Sequence, residues 1–155
     1  MSRISVGRTL PDFTAASTHG DISASTLEGR CTVLYFYPKD NTPGCTTEAQ
    51  DFRDRYQDYL AANCQVIGIS RDSLKSHLNF VEKHSLPFPL IADDNEILCN
   101  LFNVIKMKNM YGKQVRGIER STFLVDANGV VVQEWRGSRV PGHVDEVLQA
   151  ARNIA

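Results

Sequence analysis

Thr32-Val33-Leu34-Tyr35-Phe36-Tyr37, followed by Pro38-Lys39-Asp40-Asn41-Thr42-Pro43-Gly44-Cys45, decides the fold. The first six residues are an unbroken β-branched and aromatic run. Such a run suits a strand buried on both faces in the middle of a sheet, where no alternation with polar residues is needed. Pro38 ends it, because proline cannot donate to a strand ladder. Residues 39–44 are loop chemistry throughout. Beyond them Ala49, Phe52, Tyr56, Tyr59 and Leu60 recur at spacings of three and four, with charged residues between. This predicts an amphipathic helix beginning close to Cys45. Glu48 is expected in its first turn, where a negative charge complements the helix dipole.

Working outward, Val66-Ile67-Gly68-Ile69-Ser70 reads as a second buried strand. Asp72 or Ser73 then caps a helix running to about residue 84, with Leu74, His77, Leu78 and Val81 on one side. Residues 87–92 predict a short strand reached through prolines, and residues 96–104 a short helix. Residues 121–126 and 130–135 predict a hairpin, with Asn128-Gly129 as a primed turn near its tip. Residues 143–154 predict a terminal helix with Val144, Val147, Leu148 and Ala151 on its apolar side. Alternation of this kind indicates an α/β sheet with helices on both faces. A site is expected at the carboxyl ends of the strands, where helices start, and the loop from Pro38 to Cys45 is such a place.

Composition bounds the function. A chain of 155 residues suits one domain, taken here as residues 1–155. Seventeen Lys and Arg against eighteen Asp and Glu give a net charge of −1. That balance argues against a nucleic-acid partner, which a clear basic excess would mark. No apolar run approaches the ~20 residues of a membrane span, and residues 1–8 lack the apolar core of a secretory signal. Four cysteines are far below the density of a secreted disulfide scaffold. The expectation is a cytoplasmic protein with reduced thiols.

Cys45 follows Thr42-Pro43-Gly44 near a helix start. Free N–H groups and the positive end of the helix dipole favour a thiolate over a thiol there, and the thiolate is the nucleophile. Taken alone, the position also suits a small residue packing the turn. The string Tyr35-Phe36-Tyr37-Pro38-Lys39-Asp40-Asn41-Thr42-Pro43-Gly44-Cys45-Thr46-Thr47-Glu48 contains Pro-x-x-x-Thr-x-x-Cys. It resembles the active-site signature of the peroxiredoxins, and the fuller string resembles their Q-type subfamily, the bacterioferritin comigratory proteins. The resemblance extends from Val6-Gly7 and Pro11-Asp12-Phe13 through residues 66–70 to Arg120-Ser121-Thr122-Phe123.

The resemblance implies a thioredoxin-like fold, a central mixed sheet flanked by helices on both faces. It implies a thiol-dependent peroxidase reducing hydrogen peroxide and organic hydroperoxides, serving antioxidant defence and redox homeostasis. Cys45 would be the peroxidatic nucleophile, passing through a sulfenic acid. Thr42 would hold the peroxide through its hydroxyl, Pro38 would shield the pocket, and Arg120 would stabilise the thiolate and orient the peroxide. No cofactor and no metal are implied, since sulfur is the redox centre. Thioredoxin, glutaredoxin or glutathione would supply electrons, and the protein would be a monomer or weak dimer. The alternative within the same chemistry is a peroxide-sensing protein that oxidises without efficient turnover.

Physical chemistry ranks the helpers. An ordinary thiol is a few per cent ionised at pH 7, so complete ionisation gains about 30-fold, or about 2 kcal/mol. Donors aimed at the breaking O–O bond can contribute more. Outside the resemblance, Pro38 and Thr42 are ordinary turn residues, and Arg116 and Arg136 flank the sheet as well as Arg120, with Glu119 and Glu134 as partners.

Many Q-type members carry a second cysteine five residues after the first, where this chain has Gln50, or in the next helix, where it has none. The departure points to a one-cysteine mechanism with an external thiol. Cys31 and Cys64, each preceding a strand, read as small buried hydrophobes, and Cys99 as a packing residue with some claim to a redox role. No Cys-x-x-Cys occurs and His19, His77, His84 and His143 are scattered, which disfavours zinc and thioredoxin-type dithiol chemistry. A cysteine hydrolase would need His84 or His143 against Cys45. Gly68 stands alone, without a nucleotide-binding glycine motif, and reads as a packing glycine.

Overall fold

The computed structural model describes residue 4, residues 6–137 and residues 139–154, with residue 110 described by its backbone alone. Half of the stretch read for a secretory signal (Met1, Ser2, Arg3 and Ser5) lies outside the described residues. The chain runs β1 (Thr14–Ala15), β2 (Ile22–Ser23), a 3-10 turn (Ala24–Leu27), β3 (Cys31–Phe36) and α1 (Pro43–Ala61). Then follow β4 (Cys64–Ser70), α2 (Leu74–His84), β5 (Leu90–Ala92), α3 (Ile97–Leu101), β6 (Ile105–Met110) and β7 (Lys113–Ile118). The chain closes with β8 (Ser121–Val125), β9 (Val131–Arg136) and α4 (His143–Ile154).

The central sheet has the order β5-β4-β3-β8-β9, with β3, β4 and β5 parallel and β8 and β9 antiparallel to their neighbours. Every residue of β3 is buried. Its odd-numbered side chains, Val33 and Tyr35, pack with Phe52, Tyr59, Phe80, Val144 and Leu148 from α1, α2 and α4. Its even-numbered ones, Leu34 and Phe36, pack with Leu98, Cys99, Phe102, Phe123 and the amino-terminal segment. Successive strand residues point to opposite faces, so a strand with a core on each side needs no polar residue. Gly68 is the packing glycine: a Cβ there would stand 2.9 Å from the Tyr35 ring and 2.7 Å from Leu90.

Four details differ from the sequence expectations. Helix α1 begins at Pro43, so Glu48 lies in the second turn, buried, and does not serve the helix dipole. Helix α2 turns His77 and Phe80 inward and leaves Leu74 and Leu78 substantially exposed, because the large Phe80 ring fills the core position. Helix α3 is one short turn, capped by the Asp93 carboxylate on the Leu98 and Cys99 N–H groups and ended by left-handed Asn103. The β8–β9 turn is not primed. Only Gly129 has a positive φ, Gly129 N–H bonds the Asp126 carbonyl, and the Asp126 carboxylate accepts from Asn128 and Val130. That is a type I turn closed by a left-handed glycine. The primed geometry occurs instead at Tyr111-Gly112, both with positive φ, in the β6–β7 hairpin that sequence reasoning missed.

Candidate active site

Strand β3 delivers the chain to residues 38–42, and α1 starts back from there over the sheet. Pro43 occupies the first helical position, where its missing N–H costs nothing. The first intrahelical bond runs from Thr46 N–H to the Thr42 carbonyl. The Gly44 and Cys45 N–H groups therefore have no helical acceptor. Cys45 itself is 1% exposed.

Arg120 arrives from the link between β7 and β8. Its Nη2 donates to Cys45 Sγ at 3.4 Å and its Nη1 donates to Glu48 Oε1 at 2.6 Å. Gly44 makes this approach possible, since a Cβ there would come within 3.2 Å of Arg120 Nη2. Glu48 is fully buried. Burial pushes its carboxyl up from the usual range to about 7, against the opposing pull of Arg120. Burial disfavours the Arg120 charge, and Glu48 and Cys45 together more than offset that. Lys108, on β6, adds a further cation nearby. Its ammonium donates to the Ile118 carbonyl, and burial and the proximity of Arg120 lower its proton affinity.

Thr42 Oγ1 donates to the Lys39 carbonyl at 2.8 Å. Its proton is thereby committed, which leaves the oxygen's lone pairs to accept from a ligand. Pro38 is partly buried just beyond β3. The loop is held from beneath by a buried network. Asp40 accepts from Tyr37 Oη at 2.6 Å and from Ser76 Oγ at 2.8 Å, and lies 2.8 Å from His77 Nδ1. The Asp40 N–H donates to Asp72 Oδ2, and His77 Nε2 donates to the Ile91 carbonyl. Among the described residues, Asp40, Asp72 and His77 form the one group whose ligand atoms lie close enough to share a cation. Those atoms are already engaged by tyrosine, serine and backbone groups, so the cluster works as a tie between the loop and α2.

The four residues singled out from the sequence, Cys45, Thr42, Arg120 and Pro38, all lie at the carboxyl end of β3, and of the other three Arg120 bonds to the Cys45 sulfur. Glu48, Gly44, Lys108 and the Asp40–His77 tie were missed. Glu48 had a signal, since it falls three residues after Cys45 on one helical face. The pairing of Asp40 with His77, 37 residues away, had none. The competing arginines are occupied elsewhere: Arg116 forms a two-pronged pair with Glu96 and not with Glu119, while Arg136 pairs with Glu134 at 3.1 Å. Neither histidine named for a hydrolase bonds to Cys45. His84 faces Gln50, and His143 faces Thr122.

The other cysteines lie elsewhere. Cys31 and Cys64 sit at the amino ends of β3 and β4, roughly 20 Å from the Cys45 end at ~3.3 Å per strand residue. Cys99 belongs to the core on the opposite face of the sheet.

A mixed sheet with a buried cysteine and an arginine at the carboxyl end of its central strand defines a thioredoxin-like protein built for sulfur chemistry. The AhpC/TSA family model matches residues 6–134, and the chain belongs to that family. It is a peroxiredoxin, an enzyme that reduces peroxides with thiols. It is 46% identical over 153 residues to peroxiredoxin Bcp of Bacillus subtilis, covering 98% of both chains. It is 56% identical over 124 residues to peroxiredoxin Bcp of Xanthomonas campestris, covering 80% of this chain and 78% of that one. Among solved structures, a cysteine-to-serine mutant of Xylella fastidiosa PrxQ superposes with a TM-score of 0.92 at 41% identity, over 99% of this chain and 98% of that one. The bacterioferritin comigratory protein of Xanthomonas campestris, solved in complexes bearing on its alkyl peroxide reduction activity, gives 0.86 at 48%, over 91% and 90%. These neighbours have the thioredoxin fold that the resemblance implied. Among the described residues, no helix is long and apolar enough to cross a membrane.

Proposed function

We propose that this enzyme reduces hydrogen peroxide and alkyl hydroperoxides through Cys45 alone, with each electron pair supplied by an external thiol. The observation that supports it is the Arg120 guanidinium 3.4 Å from Cys45 Sγ, while Cys31 and Cys64 lie at the other end of the sheet and Cys99 on its opposite face. Cys45 sulfur attacks the terminal peroxide oxygen, the O–O bond breaks, and water or an alcohol leaves with a proton. Arg120 and the free Gly44 and Cys45 N–H groups stabilise charge developing on the oxygens, and Thr42 Oγ1 accepts from the peroxide O–H. Pro38 limits water at the pocket edge. The resulting sulfenic acid is attacked by an outside thiol with loss of water. A second outside thiol then releases Cys45 and leaves as a disulfide.

Gln50 fits this reading, because its amide hydrogen-bonds to His84 where a second cysteine would stand. The reductant is a thioredoxin, a glutaredoxin or glutathione. The test is a variant carrying Cys31→Ser, Cys64→Ser and Cys99→Ala, given hydroperoxide and each donor in turn. Continued cycling at near wild-type rate is expected with at least one donor. A single oxidation followed by a stall, while wild type cycles, would refute the one-cysteine mechanism. Stalling of both proteins with every donor would favour a peroxide sensor.

A further inference from the structure

The amino ends of β3 and β4 hold a feature that the peroxidase site does not use. Cys31 and Cys64 are register partners in the parallel ladder, so their side chains leave the same face of the sheet side by side. The spacing of neighbouring strands, ~4.8 Å, falls inside the ~4.4–6.8 Å between α-carbons that a disulfide bridges. The Cys64 thiol donates to Cys31 Sγ at 2.7 Å. Both residues are buried beneath α1 and α4, beside Tyr59. The close contact with Cys31, together with burial, pushes the Cys64 thiol well up.

We infer that Cys31 and Cys64 form a second redox site, a cross-strand dithiol that hydroperoxide converts to an intramolecular disulfide independently of Cys45. Cys31, the slightly more accessible of the two, attacks a peroxide oxygen. The O–O bond breaks, an alcohol or water leaves, and Cys31 becomes a sulfenic acid. Cys64 sulfur then attacks Cys31 sulfur, the S–O bond breaks and water leaves. Two thiols and one hydroperoxide thus give one disulfide, one alcohol and one water, and the protein loses two electrons. Among the described residues, no arginine or threonine hydroxyl bonds to either sulfur, so the step is far slower than oxidation at a site with such donors. The bond closes a loop from residue 31 to residue 64 that contains β3, the catalytic loop and all of α1.

The test uses the full-length Cys45→Ser protein, which keeps three thiols. It is reduced, exposed to excess hydrogen peroxide, then denatured, alkylated and mapped by mass spectrometry. The expected result is loss of two of the three thiols, a mass lower by two hydrogens, and a peptide joining Cys31 to Cys64 that dithiothreitol separates. Adding Cys64→Ala should abolish the cross-link, while Cys64→Ala alone leaves peroxide turnover unchanged. Three alkylated thiols after peroxide would overturn the inference. So would sulfinic acid at Cys31 without a cross-link, or a cross-link that includes Cys99.

Discussion

The two ends of strand β3 hold the same reactive atom in opposite circumstances. At the carboxyl end, Cys45 meets a guanidinium and stands in the first turn of a helix, whose opening N–H groups have no helical acceptor, three residues after Thr42. At the amino end, Cys31 meets another thiol in an apolar core. Both sulfurs are nearly inaccessible, so burial does not separate them. The difference lies in the donors, and donors are what a breaking O–O bond requires. Geometry explains why only one end has them: helix N-termini and strand-exit loops gather at the carboxyl edge of a parallel sheet, while the amino edge receives helix carboxyl ends.

The sharpest way to break the comparison is to remove each sulfur. Cys45→Ser should abolish peroxide turnover in a coupled thiol assay, leaving only the slow oxidation at the other end. Comparable turnover with and without Cys45 would erase the distinction.

Removing a donor instead should slow the carboxyl end toward the behaviour of the amino end. Arg120→Ala is expected to lower the second-order rate of peroxide oxidation about 100-fold or more, and Thr42→Val about 10- to 100-fold. Stopped-flow fluorescence checks both. Effects below threefold would mean that the donors are incidental.

Glu48 sharpens the comparison through pH. Its carboxyl is raised by burial from 4.5 to about 7, so the folded protein holds that proton more tightly than the unfolded chain does. The stability it contributes is present in full below about 4.5 and is lost as pH rises to about 7, a few kcal/mol across that window. Chemical denaturation of wild type and Glu48→Gln between pH 4 and 8 should differ by this slope, with the variant flatter. The oxidation rate of the variant should also lack any step near pH 7. Parallel stability profiles would show that Arg120 keeps Glu48 ionised throughout. The smallest effect is expected from Gly44→Ala, whose Cβ would crowd Arg120 Nη2 at 3.2 Å. A few-fold slower oxidation without loss of thermal stability is the expected outcome.

Legibility followed the range of the interactions. The apolar run at residues 32–37, the cap at Ser73 and the stripe of α4 were readable because backbone period and local capping act within a few residues. The β6–β7 hairpin was missed because its strands are largely exposed and carry lysine, arginine and glutamine, so no apolar alternation marks them. Its turn, Tyr111-Gly112, has a glycine but a first residue that rarely signals left-handed backbone. Conversely, Asn128-Gly129 carried a strong local signal that Asp126 overrode by capping two N–H groups.

The sequence by itself determined the buried core strands, the helix that starts close to the cysteine, the signature that names Pro38, Thr42 and Cys45, and the wider resemblance that adds Arg120. Those depend on neighbours along the chain or on a motif. Only the tertiary structure decided that Glu48 is buried and steers Arg120, that His77 locks the catalytic loop from 37 residues away, and that Cys31 lies against Cys64. Each of these depends on which strands become neighbours in the sheet. Sheet order is set by the summed packing of two cores, and no local window of sequence contains it.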